Sequence, residues 1–302
     1  MSILISKDTR FLIQGITGRE AVSLTRENLD YGAVIVGGVT PGRAGRDVYG
    51  VPVFDSVRDL VAVHGPVEGS IISVPSAFAR DAAFEAIENG VELIVIVTEN
   101  IPRKEVAQMV ELAVLRGARI IGPNCLGIMS PGEAKMGGIG GPAANTRQAY
   151  SKGNIGVMSR SGGMTTEIAS TLTAAGLGQS TAVSIGGDAI IGSTYAELMP
   201  LFEADPETHA IAIYSEPGGR MEAELADWVR ENDSRLPVVA FMAGRFMDEM
   251  KGMRFGHAGT IVEGVEDTTA EKIARMQDAG ISVAERIEEI PELIKKRLAE
   301  VN

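Results

Sequence analysis

The chain has 302 residues, 45% of them hydrophobic and 23% charged, a globular composition with room for about two domains. A net charge of −12 and a pI of about 4.9 argue against a nucleic-acid backbone or an anionic membrane as the main partner. They leave small phosphorylated ligands open, because backbone amides and a few local arginines can still hold an anion. The one cysteine, Cys125, excludes an internal disulfide and a cysteine-based zinc site, and three scattered histidines offer no metal constellation. Residues 1–14 lack the apolar core of a signal peptide and the Arg-rich pattern of a transit peptide. The longest apolar runs, such as 93–97, are strand-length and far too short to span a bilayer. A cytoplasmic protein is expected.

Taken in order, residues 11–14 read as a buried strand, followed by the turn Gly15-Ile16-Thr17-Gly18 and a helix to about Asp30. Further strands are expected at 33–36, 71–74, 93–97 and 119–121, with helices at 56–64, 77–89 and 103–116 between them. Short apolar strands alternating with longer helical patterns predict a parallel sheet covered on both faces. Ligands bind such sheets at the carboxyl ends of the strands. The first strand ends in Gly15-Ile16-Thr17-Gly18, an anion site at a helix start. It is not the Gly-x-Gly-x-x-Gly fingerprint, and no acidic residue closes the second strand. The second strand runs instead into a loop from Gly37 to Gly45, with Arg43 available to a phosphate. Later strand ends are Val74-Pro75-Ser76 and Val97-Thr98-Glu99. Each segment alone reads most simply as a structural turn; together they describe a Rossmann-like domain for a phosphorylated nucleotide other than NAD. Gly122-Pro123-Asn124 is a turn signal, and Cys125 reads as a small buried hydrophobe rather than a reactive thiol. Residues 137–153 are rich in Gly, Ala, Pro and Asn without periodicity and read as a linker, dividing a domain of 1–136 from one of 154–302.

In the second half, a strand at 154–159 leads through Arg160-Ser161-Gly162-Gly163 into a helix to about Ala175. Backbone amides, a hydroxyl and a helix dipole aimed at one point form an anion cradle, although Ser161 also suits a simple N-cap. Strands at 181–185, 209–214 and 237–242 end in Gly186-Gly187-Asp188, Ser215-Glu216-Pro217-Gly218-Gly219 and Ala243-Gly244-Arg245. A helix at 221–230 follows the second of these. The tail reads helix 268–279, strand 282–284, helix 287–299. This is a second doubly wound domain with its glycine-rich strand ends on one edge, around the loop Gly256-His257-Ala258-Gly259. A neutral imidazole is a good nucleophile toward phosphorus, and Glu216 is placed to take a proton from one ring nitrogen and leave the other free. The bland alternatives are a histidine in a turn and a solvated turn glutamate.

The residues resemble the alpha subunit of succinyl-CoA synthetase (succinate–CoA ligase) over essentially the whole chain. Seven motifs carry the likeness in order: Met1-Ser2-Ile3-Leu4-Ile5, Gln14-Gly15-Ile16-Thr17-Gly18, Gly37-Gly38-Val39-Thr40-Pro41-Gly42, Ile121-Gly122-Pro123-Asn124-Cys125, Ser159-Arg160-Ser161-Gly162, Ile185-Gly186-Gly187-Asp188 and Gly256-His257-Ala258-Gly259. The resemblance implies an α/β protein with a Rossmann-like CoA-binding domain followed by a flavodoxin-like ligase domain. It implies coenzyme A contacts at Thr17, Gly18, Arg19, Glu20, Arg43, Pro75, Val97, Thr98, Glu99 and Asn124. It also implies a phosphohistidine at His257 held by Glu216, and phosphate or substrate contacts at Ser161, Gly162, Gly163 and Thr166. In such enzymes ATP or GTP, with Mg2+, phosphorylates the histidine at an ATP-grasp beta subunit in an αβ or α2β2 assembly. The phosphoryl group passes to a carboxylic acid, and CoA displaces phosphate from the acyl phosphate.

The chain departs from the family pattern in four places. Position 43 is usually lysine, and Arg43 keeps the charge. The usual Gly-Glu-Ile-Gly-Gly is Ser215-Glu216-Pro217-Gly218-Gly219, and the usual Ala-Pro-x-Gly-Lys is absent from 246–251. After Ser161-Gly162 the chain reads Gly163-Met164-Thr165-Thr166-Glu167 where succinate enzymes have Thr-Leu-Thr-Tyr-Glu, similar to the Ser-Gly-Gly-Met of ATP-citrate lyase and citryl-CoA synthetase. Thr166 in place of a substrate-side tyrosine predicts a larger or hydroxylated acid, such as malate or citrate. A CoA-binding regulatory protein without turnover is the competing class of function; the retained His257 and Glu216 speak against it.

Overall fold

The computed structural model describes residues 3–250, 252–253, 256–262, 264 and 268–301; Met1 and Ser2, named above, and the last residue of the 246–251 stretch lie outside them. The strands are β1 (Arg10–Gln14), β2 (Val34–Val39), β3 (Asp47–Val48), β4 (Val51–Phe54), β5 (Gly69–Ile72), β6 (Leu93–Ile96) and β7 (Arg119–Ile121) in the first half. They continue as β8 (Gly127–Ser130), β9 (Ala134–Met136), β10 (Lys152–Ser159), β11 (Gln179–Ser184), β12 (Ala210–Ser215), β13 (Val238–Met242) and β14 (Ser282–Ala284). The helices are α1 (Arg19–Tyr31), α2 (Val57–His64), α3 (Ser76–Glu88), α4 (Arg103–Arg116), α5 (Ala143–Ala149), α6 (Gly162–Ala174), α7 (Tyr195–Ala204), α8 (Met221–Glu231), α9 (Thr269–Asp278) and α10 (Ile290–Val301). None of the described helices is long and apolar enough to cross a membrane.

The first sheet has the order β3-β4-β2-β1-β5-β6-β7, parallel except for the short hairpin strand β3. Its central strands β5 and β6 are buried along their whole length, as expected for a sheet with helices on both faces. The order reverses at β1, so a crevice opens between the carboxyl ends of β1 and β5. Gly15 closes β1 with φ +83°, and a Cβ there would lie 2.3 Å from the Ser73 carbonyl. Only glycine lets these two strand ends meet.

The second sheet has the order β14-β13-β12-β10-β11-β8-β9. β10 through β14 are parallel in a flavodoxin-like order, with the reversal at β10 and β12. The chain is thus an α/β protein, Rossmann-like and then flavodoxin-like.

Several elements differ from the sequence expectation. Gly37 and Gly38 lie inside β2 rather than in a loop, because a Cβ on Gly38 would meet Ile16 at 2.3 Å and one on Gly37 would meet Leu60 at 2.7 Å. These glycines serve close packing. α7 follows a capping box at Thr194 and Glu197, a local signal present in the sequence but not used. The expected linker contains α5, and Tyr150 just after it is buried. β8 and β9 fall before that linker, yet β8 pairs antiparallel with β11 (Val183 opposite Ile128) and β9 pairs with β8. The sheets therefore part near residue 122, not at 136. A pairing across more than fifty residues leaves no local trace in the chain.

The halves are locked together where the site forms. The Asn28 side chain of α1 exchanges two hydrogen bonds with the Gly137 backbone, at 2.9 and 3.2 Å, in a buried position. At the other end, the turn at 122–126 joins the carboxyl ends of both sheets. Gly122 N–H donates to Ile185 O, Asn124 N–H to Thr98 O, Gly187 N–H to Asn124 O and Leu126 N–H to Ser184 Oγ.

Candidate functional site

β12 ends at Ser215, and Glu216 stands at the point where the strand order of the second sheet reverses. Pro217 and two glycines with φ of +86° and +68° then turn the chain into α8. His257 comes from the loop between β13 and α9. Its Nδ1 lies 2.8 Å from Glu216 Oε2. A carboxylate only accepts, so Nδ1 is the donor in this contact, and in the neutral imidazole Nε2 then keeps a free lone pair. Glu216 is buried, while 28% of the His257 side chain is exposed. The imidazole lies against Gly187, where a Cβ would sit 2.5 Å from the ring carbons. Gly259 N–H donates to Gly187 O at 3.3 Å, and the Thr260 hydroxyl donates to His257 O at 2.6 Å. The loop is pinned on the carboxyl side of the histidine, and one ring nitrogen is committed.

Three buried charged side chains brace this pair. Lys272 of α9 donates to Glu216 O at 3.1 Å, Gly218 O at 2.6 Å and Glu222 Oε2 at 2.6 Å. It holds the turn that carries Glu216. Arg160 donates from Nη2 to Gly187 O and Asp188 O, at 3.2 and 2.9 Å, and so fixes the backbone behind the imidazole.

His257 opens into a cleft of about 1040 Å³ between the domains, at the upper end of ordinary ligand-site sizes. Gly18, Arg19, Glu20, Pro75, Val97, Thr98, Glu99, Asn124, Ser161, Gly162 and Gly163 line the same cleft. Thr17 lines an adjoining, mostly apolar cavity of about 670 Å³ that shares Gly18, Ser73, Val74 and Pro75 with it. The α6 N-terminus faces the cleft, with Ser161 as N-cap accepting from Met164 N–H at 3.4 Å. A Cβ on Gly162 would strike Leu126 at 2.3 Å, whereas Gly163 has open space before it.

Other expected residues sit differently. The Thr98 hydroxyl donates to Val74 O and the Asn124 amide to Asp188 Oδ1, so both side chains shape the strand ends. Arg43 is exposed, on the loop whose Thr40 and Pro41 line the adjoining cavity. Thr166 does not line the cleft: its hydroxyl lies 3.0 Å from the buried Tyr150 hydroxyl. The space expected to open at Thr166 therefore adds nothing to the cleft.

Sequence reasoning missed Lys272, Glu222, Arg160 and Asp188. Lys272 falls in a helix whose pattern reads as amphipathic, and nothing local marks that lysine as buried. Arg160 carried a usable signal, its place between a strand end and a Ser-Gly-Gly helix start.

Cys125 borders the cleft yet is 3% exposed, and burial pushes its thiol up to about 12. At pH 8 the native protein is expected to resist iodoacetamide and to react fully once unfolded, which mass spectrometry of alkylated protein checks. The unfolded thiol ionises near about 8.5 while the folded one stays protonated. This residue's contribution to stability is therefore complete below that pH and declines as pH rises toward 12.

The fold agrees with the family comparisons. The "CoA binding domain" profile matches residues 6–100, and the "Succinyl-CoA ligase like flavodoxin domain" profile matches residues 152–295. The ADP-forming sulfoacetate–CoA ligase subunit SauD of Bilophila wadsworthia is 42% identical over 298 residues, covering 99% of this chain and 100% of that one. The succinate–CoA ligase [ADP-forming] subunit alpha 2 of Archaeoglobus fulgidus is 43% identical over 298 residues, with the same coverage. A structure of Methanosaeta concilii ATP citrate lyase in complex with (3S)-citryl-CoA shares the fold, with a TM-score of 0.91 at 22% identity. It aligns with 99% of this chain, which spans about half (51%) of that longer one. The chain belongs to the succinate–CoA ligase alpha-subunit family.

Proposed function

We propose that the chain is the alpha subunit of an NDP-forming acid–CoA ligase that works through a phosphorylated His257. The observation that carries this reading is the 2.8 Å contact between His257 Nδ1 and Glu216, with the ring at the wall of a cofactor-sized cleft. Nε2 attacks the γ-phosphorus of ATP or GTP, the N–P bond forms, and the bond to the leaving NDP oxygen breaks. Glu216 offsets the positive charge that develops on the ring. An acid carboxylate oxygen then takes the phosphoryl group from Nε2, giving an acyl phosphate and restoring the neutral imidazole. Attack by the CoA thiol on the acyl carbonyl expels phosphate and leaves the thioester. The amides of Gly162 and Gly163 at the α6 N-terminus, which Ser161 caps, suit the phosphoryl and phosphate oxygens.

CoA, on this reading, lies along the carboxyl ends of the first sheet. Gly18, Arg19, Glu20, Pro75, Val97, Thr98, Glu99 and Asn124 border it in the cleft, Thr17 borders it in the adjoining cavity, and Arg43 reaches it from the rim. Nucleotide and Mg2+ belong to an ATP-grasp beta partner, a reading supported by relatives named as alpha subunits. The expected setting is a cytoplasmic hetero-oligomer. The acid is open: relatives of near-equal identity are named for succinate and for sulfoacetate, and the position of Thr166 gives no support to malate or citrate.

The test uses the chain co-purified with its beta partner. ADP release is followed with CoA and each of succinate, sulfoacetate, malate and citrate, with His257→Ala in parallel. Turnover on one acid, abolished by the substitution, is expected. Turnover that survives loss of His257 would sink the mechanism.

A further inference from the structure

A second cavity, of about 480 Å³, touches the His257 loop through Ala258, Gly259 and Ile261 and shares no lining residue with the large cleft. Three arginines line it: Arg103, Arg160 and Arg220. In a chain of net charge −12, composition does not account for such a grouping.

Arg160 is the informative one. It is 1% exposed, and its Nη2 is held by the carbonyls of Gly187 and Asp188. Its Nε has no acceptor, and among the described residues no carboxylate pairs with the guanidinium. A buried cation without a counter-charge is costly, and an orphaned buried donor signals an absent water or ion. The surroundings suit an anion. Arg220 is the N-cap residue of the eleven-residue helix α8, makes no side-chain cap, and leaves first-turn amides toward the cavity side. Arg103 begins α4. Among the described lining residues Glu224 is the one carboxylate, and Arg220 has a partner of its own, so Arg160 and Arg103 favour a ligand of about one negative charge.

We propose that this cavity binds a small oxyanion, phosphate or a carboxylate, held by Arg160 and Arg103 with help from the α8 N-terminus. The site is separate from the Ser161–Gly163 cradle and does not depend on the ligase reading. It bears on the loop directly. Gly259 lies so close to the guanidinium that a Cβ there would be 2.4 Å from Arg160 Nη2, two residues beyond His257. An anion neutralising Arg160 therefore stiffens the segment at 258–261.

The experiment titrates the chain with inorganic phosphate and, separately, with succinate in low-chloride buffer. Calorimetry and amide hydrogen exchange are read for wild type, Arg103→Gln and Arg103→Lys. Arg103 is exposed, so these variants are expected to fold normally. The expected result is saturable binding, weakened about ten-fold in Arg103→Gln and largely restored in Arg103→Lys. Exchange at 258–261 is expected to slow on binding in wild type, with CoA affinity equal in all three. Protection by phosphate alone names phosphate as the ligand, and protection by both extends the site to carboxylates. Absence of saturable binding, or binding and protection unchanged in Arg103→Gln, would overturn the assignment. The latter would place the anion at the α6 N-terminus.

Discussion

Gly187→Ala is expected to slow phosphorylation of His257 by about 100-fold while leaving CoA affinity unchanged. The backbone at Gly187 is not in the left-handed region, so alanine is tolerated there in itself. The obstacle is the imidazole: a Cβ would stand 2.5 Å from two of its ring carbons, and a carbon pair needs about 3.5 Å. The ring must move by about 1 Å, which alters either the Nδ1–Glu216 contact or the position of Nε2. Misplacement of a reacting group on that scale costs about 10²-fold in rate. The measurement is transfer of label from γ-labelled ATP to the chain in the presence of its beta partner, beside a thermal melt. A wild-type rate of labelling would show that the ring has room elsewhere and that its packing on Gly187 does not position it.

Lys272→Met is expected to cost stability and rate for two separable reasons. Lys272 and Glu222 form an ion pair with side chains 1% and 0% exposed. Removing one partner leaves Glu222 buried and unpaired, a loss of about 3–5 kcal/mol. Glu222 already has one oxygen without a partner, so little else is available to take up the charge. The second effect comes from the carbonyls of Glu216 and Gly218, which lose their common donor. The turn that aims Glu216 at His257 then relaxes. The double variant Lys272→Met/Glu222→Leu tells the effects apart. Stability, read by denaturant midpoint, is expected to recover in large part, because both charges are gone. The phosphorylation rate is expected to stay low, because the two carbonyls remain free. Recovery of both together would mean that the pair matters for stability alone.

Much of the fold was legible because its signals are local. The strand ends at Gln14, Ser159, Ser215 and Met242 are followed by glycine-rich turns, and the apolar run at 93–96 is long enough for a strand and too short for a buried helix. The pairing of His257 with Glu216 was legible for a related reason: parallel strands bring all their carboxyl ends to one edge, so two strand-end loops of one sheet are close whatever their separation in the chain. The exceptions are also physical. Gly37 and Gly38 carry a loop-like composition but sit in a strand, because Leu60 and Ile16 occupy the space where side chains would be. The placement of β8 and β9 follows from an antiparallel pairing with β11 that no nearby residue encodes.

By itself, the sequence determined the α/β class, the order of the two domains, the His–Glu pair and the strand ends that border the cleft, since each depends on periodicity, turn chemistry or motif. Only the tertiary structure decided which charges are buried. Glu222 and Lys272 have nothing in their local context that separates them from solvated residues, and they become braces of the site because α8 and α9 pack together beside the turn at 216–218; Arg160, whose place before a Ser-Gly-Gly helix start did carry a signal, is fixed at the end of β10 by the Gly187 and Asp188 carbonyls. It also decided that Thr166 faces Tyr150 and not the cleft, because the direction of a helical side chain depends on what the helix packs against.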